Sequence, residues 1–311
     1  MSTASKLLFF AGLVLSFSGW VSPPVALTAG ILLGLTLSHP YGKQSSISAK
    51  FLLQASVVAL GFGMNLPDVV KAGRSGFVYT ALGISIALAA GLALGRLVRV
   101  PGTPSFLISS GTAICGGSAI AAVAPILQAS GEEMSVALGT VFILNSIALF
   151  IFPPIGSALH LTEAQFGLWA ALAIHDTSSV VGAATRYGAV ALVIATTVKL
   201  ARALWILPLS LATAAMRRTR SKVQIPWFIF LFCLAAVVNS YVPGIGKATH
   251  LLSQSGKLGL TATLFLIGTS ISRRALREVG WRPLLQGVLL WLFVGAGSLL
   301  LIRAGIIGFA T

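Results

Sequence analysis

Two stretches, SSGTAICGGSAIAA (residues 109–122) and AIHDTSSVVGAA (residues 173–184), interrupt long apolar runs with glycine and small polar residues, and their reading decides the fold. Gly111, Gly116 and Gly117 each lower helix stability by roughly 1 kcal/mol relative to alanine. Backbone freed from helical hydrogen bonds at membrane depth persists only where it faces protein or a wet cavity. Each stretch therefore predicts a helix broken in its middle. Such breaks present half-helix N-termini, whose free N–H groups and positive dipole ends attract anions, with Ser and Thr hydroxyls as further donors. The competing reading is that Gly111, Gly116, Gly117 and Ser118 only let helices pack closely.

The surroundings are those of a membrane protein. Of 311 residues, 56% are hydrophobic and 9% charged, against roughly 25% charged in soluble domains. Apolar runs lie near 7–20, 24–38, 51–66, 76–98, 104–128, 133–153, 165–187, 188–214, 225–241, 257–272 and 283–309, which predicts an all-α polytopic protein of about 10–11 transmembrane helices. The chain reads as one transmembrane transporter domain over 1–311, with a core around 104–214 and scaffold elements from 1–103 and 225–311. The run from Leu7 to Trp20 follows Lys6 without a clean cleavage site, so it reads as a first span rather than a signal peptide. Trp20, Trp227 and Trp281 fit an interfacial aromatic belt.

The net charge of +15 sits in short clusters between apolar runs, which argues for topology signals and against nucleic acid. Assigning the loops alternately to two sides puts thirteen of the 21 Lys and Arg residues on the side of the N-terminus and six on the other. The expectation is a multi-pass inner-membrane protein with a cytoplasmic N-terminus. Cys115 and Cys233 give neither a disulfide scaffold nor a metal-ligand spacing, and no cofactor box is present. No G-x-x-x-x-G-K-[ST] loop, zinc motif or nucleophile elbow occurs, so neither ATP hydrolysis nor an enzyme is expected.

Two internal echoes suggest repeats. GFGMNLPDVVKAGRSGF (61–77) resembles LIGTSISRRALREVGWRPL (266–284), and an odd number of crossings separates them, the mark of an inverted repeat. VALGTVFILNSIALFIFPPI (136–155) resembles VALVIATTVKLARALWILPL (190–209), which aligns Asn145 with Lys199.

The ionisable residues inside apolar runs are the candidate site. His175 and Asp176 are an adjacent pair, and an aspartate at the bilayer centre costs roughly 2.5–3.5 kcal/mol on insertion scales. Either could bind a proton; alternatively Asp176 caps the second half-helix through Ser178 or Ser179. Lys199 lies about 16 Å along its helix from Gly188, near the middle of the membrane, and Arg202 shares its face. Both fit either substrate contact or a structural pairing with Asp176. The candidate substrate-binding set is Thr112, Cys115, Gly116, Gly117, Ser118, Asn145, His175, Asp176, Thr177, Ser178, Ser179, Lys199 and Arg202. Asn65, Gln54 and Ser270 read as interhelical hydrogen-bonding groups, and Glu132 and Glu133 as solvated residues of an outer loop.

The segments GTAICGGSAIAAVAPI (111–126) and HDTSSVVGAA (175–184), with the LGFGMNL run at 60–66, resemble the YeiH-like family of bacterial inner-membrane proteins, which are called sulfate exporters. The resemblance spans nearly the whole chain. It implies inverted repeats and crossing broken helices similar to bile-acid-symporter and sodium/proton-antiporter folds, with Thr112–Ser118 and His175–Ser179 at the crossing. The expected function is secondary active transport of a small anion such as sulfate or a sulfonate, coupled to a proton or sodium ion, by a chain that could form a homodimer in the bilayer. A cation/proton antiporter centred on Asp176 and a non-transporting receptor are the alternatives. One mismatch stands: by the span count both breaks begin on the same side, whereas an inverted pair begins on opposite sides. A re-entrant hairpin at one break, or a short extra span near 155–165, would remove it.

Overall fold

A computed structural model describes residues 3–36, 42–217, 227–270 and 279–308, with side chains described throughout these ranges except at 3–4, 42–47, 50, 68, 71–79 and 270. All of the regular structure among the described residues is α-helical. The chain is therefore an all-helical polytopic protein, and it divides into two compact units.

The first unit comprises residues 1–70 and 227–273. It holds α1 (Thr3–Phe17), α2 (Pro23–Thr36), α3 (Gly42–Gly61), α12 (Trp227–Tyr241) and α13 (Gly246–Ser270). Helix α13 packs on both α2 and α3. Glycines set these approaches: a Cβ on Gly30 would strike the Phe265 carbonyl, and one on Gly268 the Leu27 carbonyl. Without a hydrophobic effect between helices in lipid, such close backbone approach is what holds them together. Gln54 and Asn65 belong to this unit, while the side chains of Ser270 and of residues 68 and 71–77, together with residues 271–278 of the 61–77 and 266–284 echo, lie outside the described residues.

The second unit comprises residues 71–226 and 274–311. It contains four stretches long and apolar enough to cross a membrane: Thr80–Val98, Gly131–Ala158, Ala189–Arg217 and Trp281–Arg303. The first is the larger part of α4 (Leu66–Val98), the second is α7, the third is α10 (Ala189–Ala203) followed by α11 (Ile206–Arg217), and the last is α14. Between them lie two pairs of half-length helices, α5 (Gly102–Ala113) with α6 (Gly117–Val123), and α8 (Glu163–Ala173) with α9 (Thr177–Tyr187). The breaks fall at 114–116 and 174–176, inside the two stretches singled out from the sequence.

Each pair is a hairpin that returns to the side it came from. In the first, Ile120 of α6 lies against Gly111 of α5, and Leu107, Ile108, Val123 and Ala124 share one cluster with Ala137 of α7. The chain then reaches the start of α7 at Gly131, while Gly116 at the hairpin tip lies beside Val141, ten residues further along that helix. In the second, Tyr187 at the end of α9 donates to the Leu161 carbonyl just before α8, at 2.7 Å, and its ring stacks on Phe166 at 3.7 Å. Glu163 at the start of α8 accepts from the N–H of Val190 at the start of α10. An arm of 11 or 12 residues is about 16–18 Å long, half of the roughly 30 Å hydrocarbon layer.

Two local signals start the helices beside each hairpin. Ser130 and Glu133 form a capping box at the start of α7, and Thr162 and Gln165 form another at the start of α8. Because α7 crosses once between the hairpins, they enter from opposite faces of this unit and their tips meet in its middle. The sequence reading takes 104–128 and 165–187 as full spans; as hairpins they contribute no crossing. The mismatch in their orientation disappears, because hairpin followed by long helix occurs twice in inverted sense. This is the alignment in which Asn145 on α7 matches Lys199 on α10. Every Lys and Arg keeps its side in the charge count, while Glu132 and Glu133 move to the basic side.

Candidate functional site

The site is where the two tips touch. A Cβ placed on Gly116 would lie 3.2 Å from the Asp176 Cβ, so the hairpins meet backbone against side chain. Gly116 makes this possible with φ 64° and ψ −127°, a conformation in which residues with side chains are strained. Its N–H donates back to the Gly111 carbonyl at 2.8 Å, closing the first tip tightly.

The second tip is organised by Asp176. It caps α9 by accepting from the Ser179 N–H at 2.7 Å, and it also accepts from the Ser178 hydroxyl at 2.8 Å. Its second oxygen accepts from the Asn145 amide at 2.7 Å. The carbonyl of the same amide accepts from the His175 and Asp176 N–H groups at 3.0 and 3.4 Å, so one side chain of α7 satisfies both donors of the unwound segment.

Lys199 and Arg202 serve the opposite polarity. The entering arms α5 and α8 aim their C-terminal ends, with unsatisfied carbonyls and partial negative charge, at the middle of the unit. Lys199 donates to the Ile174 carbonyl at 2.6 Å and to that of Ala171 at 3.4 Å. Arg202 spans both hairpins: Nε donates to Ala113 and Nη1 to Leu172, each at 2.6 Å, and Nη2 to Thr112 at 3.4 Å. Its fixed fork of donors suits it to two strands of backbone at once. Lys199 is 0% exposed, Arg202 2% and Asp176 8%. Two buried cations face one buried carboxylate, leaving formal positive charge at the crossing.

The structure thus brings Gly116, Asn145, Asp176, Lys199 and Arg202 into one network, with Ser178 and Ser179 on Asp176. Thr112 and Cys115 are buried in the first hairpin, and Thr177 and His175 in the second. Gly117 is half-buried beside Phe142 and Leu138, and Ser118 is exposed. Among the described residues, both ring nitrogens of His175 and the Thr112 hydroxyl have no hydrogen-bond partner although buried. Trp291 on α14 escaped the sequence reading: its ring centroid lies 6.4 Å from that of His175, and its buried indole N–H is also without a partner. Gln286 escaped too. It is fully buried, and its amide nitrogen lies 2.9 Å from the Ser105 hydroxyl and 3.0 Å from the Gly91 carbonyl, tying the first hairpin to α14 and α4. A tryptophan or glutamine in an apolar run was the available signal. Among the described residues no group of His, Cys, Asp and Glu could hold a metal ion.

These features define a polytopic membrane protein whose polar centre is built from two opposed re-entrant hairpins. The family model described as Conserved hypothetical protein 698 matches residues 6–287, and the chain belongs to that family. It is the same family as the YeiH-like one named from the sequence motifs. A UPF0324 membrane protein of Bacteroides thetaiotaomicron is 51% identical over 290 residues, covering 91% of this chain and 87% of that one. Another, from Geobacter sulfurreducens, is 47% identical over 291 residues, with 94% of each covered. No solved structure matches.

Proposed function

We propose that this chain is a secondary transporter of a small anion, such as an inorganic oxyanion or a sulfonate, bound between the two hairpin tips. It carries the solute across a bacterial inner membrane without converting it chemically. The observation that carries the reading is the meeting of Gly116 and Asp176 amid surplus buried positive charge. Unwound backbone and several ionisable groups at membrane depth are costly, and they are kept where a solute pathway needs them. Asp176 and both cations are already bonded within the protein, so they set the field of the site. Gly117 and Ser118, less enclosed than their neighbours, are the groups best placed to touch a solute.

Opposed hairpins suit alternating access, since each tip is approached from a different face of the unit. The bias of Lys and Arg supports a cytoplasmic N-terminus. The deciding experiment is flux into proteoliposomes of radiolabelled sulfate and of methanesulfonate, with Asp176→Asn and Lys199→Ala checked for folding by size exclusion. Anion flux lost in both folded variants supports the reading. Normal flux in both refutes it, and exchange of sodium for protons without any anion would favour an antiporter.

A further inference from the structure

His175 is an ionisable side chain at the crossing whose ring the network does not use. Its main-chain N–H is held by Asn145, yet its ring, 1% exposed, has no partner at either nitrogen among the described residues. Asp176 is the opposite case. Its carboxylate accepts from Ser178, Ser179 and Asn145 and is held inside the network. A neutral imidazole has one donor and one free acceptor, so the His175 ring can take a proton without breaking any bond of the network.

The groups facing His175 decide when that proton arrives. On α10, Lys199 and Arg202 bond to the carbonyls of Ile174 and Leu172, within three residues of the histidine. On α7 the neighbour is neutral Asn145, and on α14 it is the Trp291 ring. The first tip brings Cys115 and Gly116, and the second brings Asp176, whose single negative charge faces both cations. A third positive charge here is opposed by Lys199 and Arg202 until a negative charge joins them.

We propose that His175 takes up one proton together with the anion, so that solute and proton are carried as a pair. This rests on the anion reading above. The proton comes from the solution on the side to which the site is open, forms imidazolium on His175, and leaves on the other side with the solute. Linkage makes the coupling reciprocal: bound anion raises the proton affinity of the site, and acid raises the anion affinity.

The test uses the purified full chain in a weakly buffered solution near neutral pH, with a pH indicator. Sodium sulfate and sodium methanesulfonate are the probes, since neither titrates there, and sodium chloride controls for ionic strength. The expected result is uptake of about one proton per anion bound, and an anion affinity that rises by up to about tenfold per unit fall in pH. In His175→Gln, whatever its absolute affinity, that slope is expected to be flat. Anion binding without proton uptake, or an unchanged slope in the variant, overturns the proposal and leaves the transport reading standing. Should neither anion bind, both fall. If His175→Gln does not fold, proton uptake by the unaltered chain decides alone.

Discussion

Gly116 and Asp176 sit tip to tip, so close that a methyl group on the glycine would lie 3.2 Å from the aspartate Cβ and 3.3 Å from the Val141 side chain. The contact joins two hairpins that are 60 residues apart in sequence and enter from opposite faces. Gly116 therefore has two reasons to be glycine: its positive φ and the absence of space.

Replacing it tests both. Gly116→Ala is expected to cost on the order of 1–3 kcal/mol in backbone strain and to push the tips apart. Gly117→Ala, whose Cβ would meet ring and methyl carbons at 3.3–3.4 Å without a positive φ, is expected to cost less. Thermal unfolding in detergent ranks the two, and equal melting temperatures for Gly116→Ala and the unaltered chain would contradict the packing described.

Asn145 gives a prediction with a pH sign. Its amide nitrogen donates to Asp176 at 2.7 Å while its oxygen accepts from two N–H groups. Asn145→Asp keeps the acceptor and replaces the donor with a second carboxylate oxygen against Asp176. Two such groups cannot both stay ionised at that distance without repulsion, and a shared proton relieves it. The variant is therefore expected to be less stable than the unaltered chain at neutral pH and to recover as pH falls. Melting temperatures across a pH series check this; a deficit that is constant with pH would mean that the amide matters for shape alone.

The breaks themselves were legible because they go against their surroundings: three glycines in one apolar run and a His–Asp pair in another. What the sequence concealed was direction. Two apolar arms, of 12 and 7 residues in the first hairpin and 11 each in the second, joined by a three-residue break have about the length of a single span, so hydropathy cannot distinguish a hairpin from a crossing. The capping boxes at Ser130–Glu133 and Thr162–Gln165 did carry the information that a new helix starts there, but not which way it points. The roles of Lys199 and Arg202 were hidden for a related reason. Their partners are backbone carbonyls of other helices, and a carbonyl has no sequence signature. Gln286 and Trp291 were overlooked because each is a lone residue in an apolar run.

Arg202 bonds to both entering arms, through Ala113 and Leu172. Arg202→Lys keeps the charge but offers a single ammonium, which cannot reproduce a fork that reaches two helices. A buried carbonyl left unsatisfied costs about 1–3 kcal/mol. Arg202→Lys is thus expected to be destabilised by that amount despite the conserved charge, as read by thermal unfolding. A melting temperature equal to that of the unaltered chain would show that the charge suffices and the geometry does not matter.

The hairpin topology makes the sharpest prediction, because it assigns sides. Gly102 and Gly131 flank the first hairpin, and a side chain at either would meet nothing within 4 Å, so both accept cysteine without strain. Ala158, before the second hairpin, and Thr185, in the last turn of its α9 arm, are both exposed. With Cys115 and Cys233 first replaced by alanine, single cysteines at these four positions can be labelled in intact cells by a thiol reagent that does not cross the membrane. Gly102→Cys and Gly131→Cys are expected to share one accessibility, and Ala158→Cys and Thr185→Cys to share the opposite one. If 104–128 instead crossed the bilayer, positions 102 and 131 would label from different sides. The same holds for 158 and 185 around the second hairpin, so either pair splitting would break the inverted arrangement on which the meeting of Gly116 and Asp176 depends.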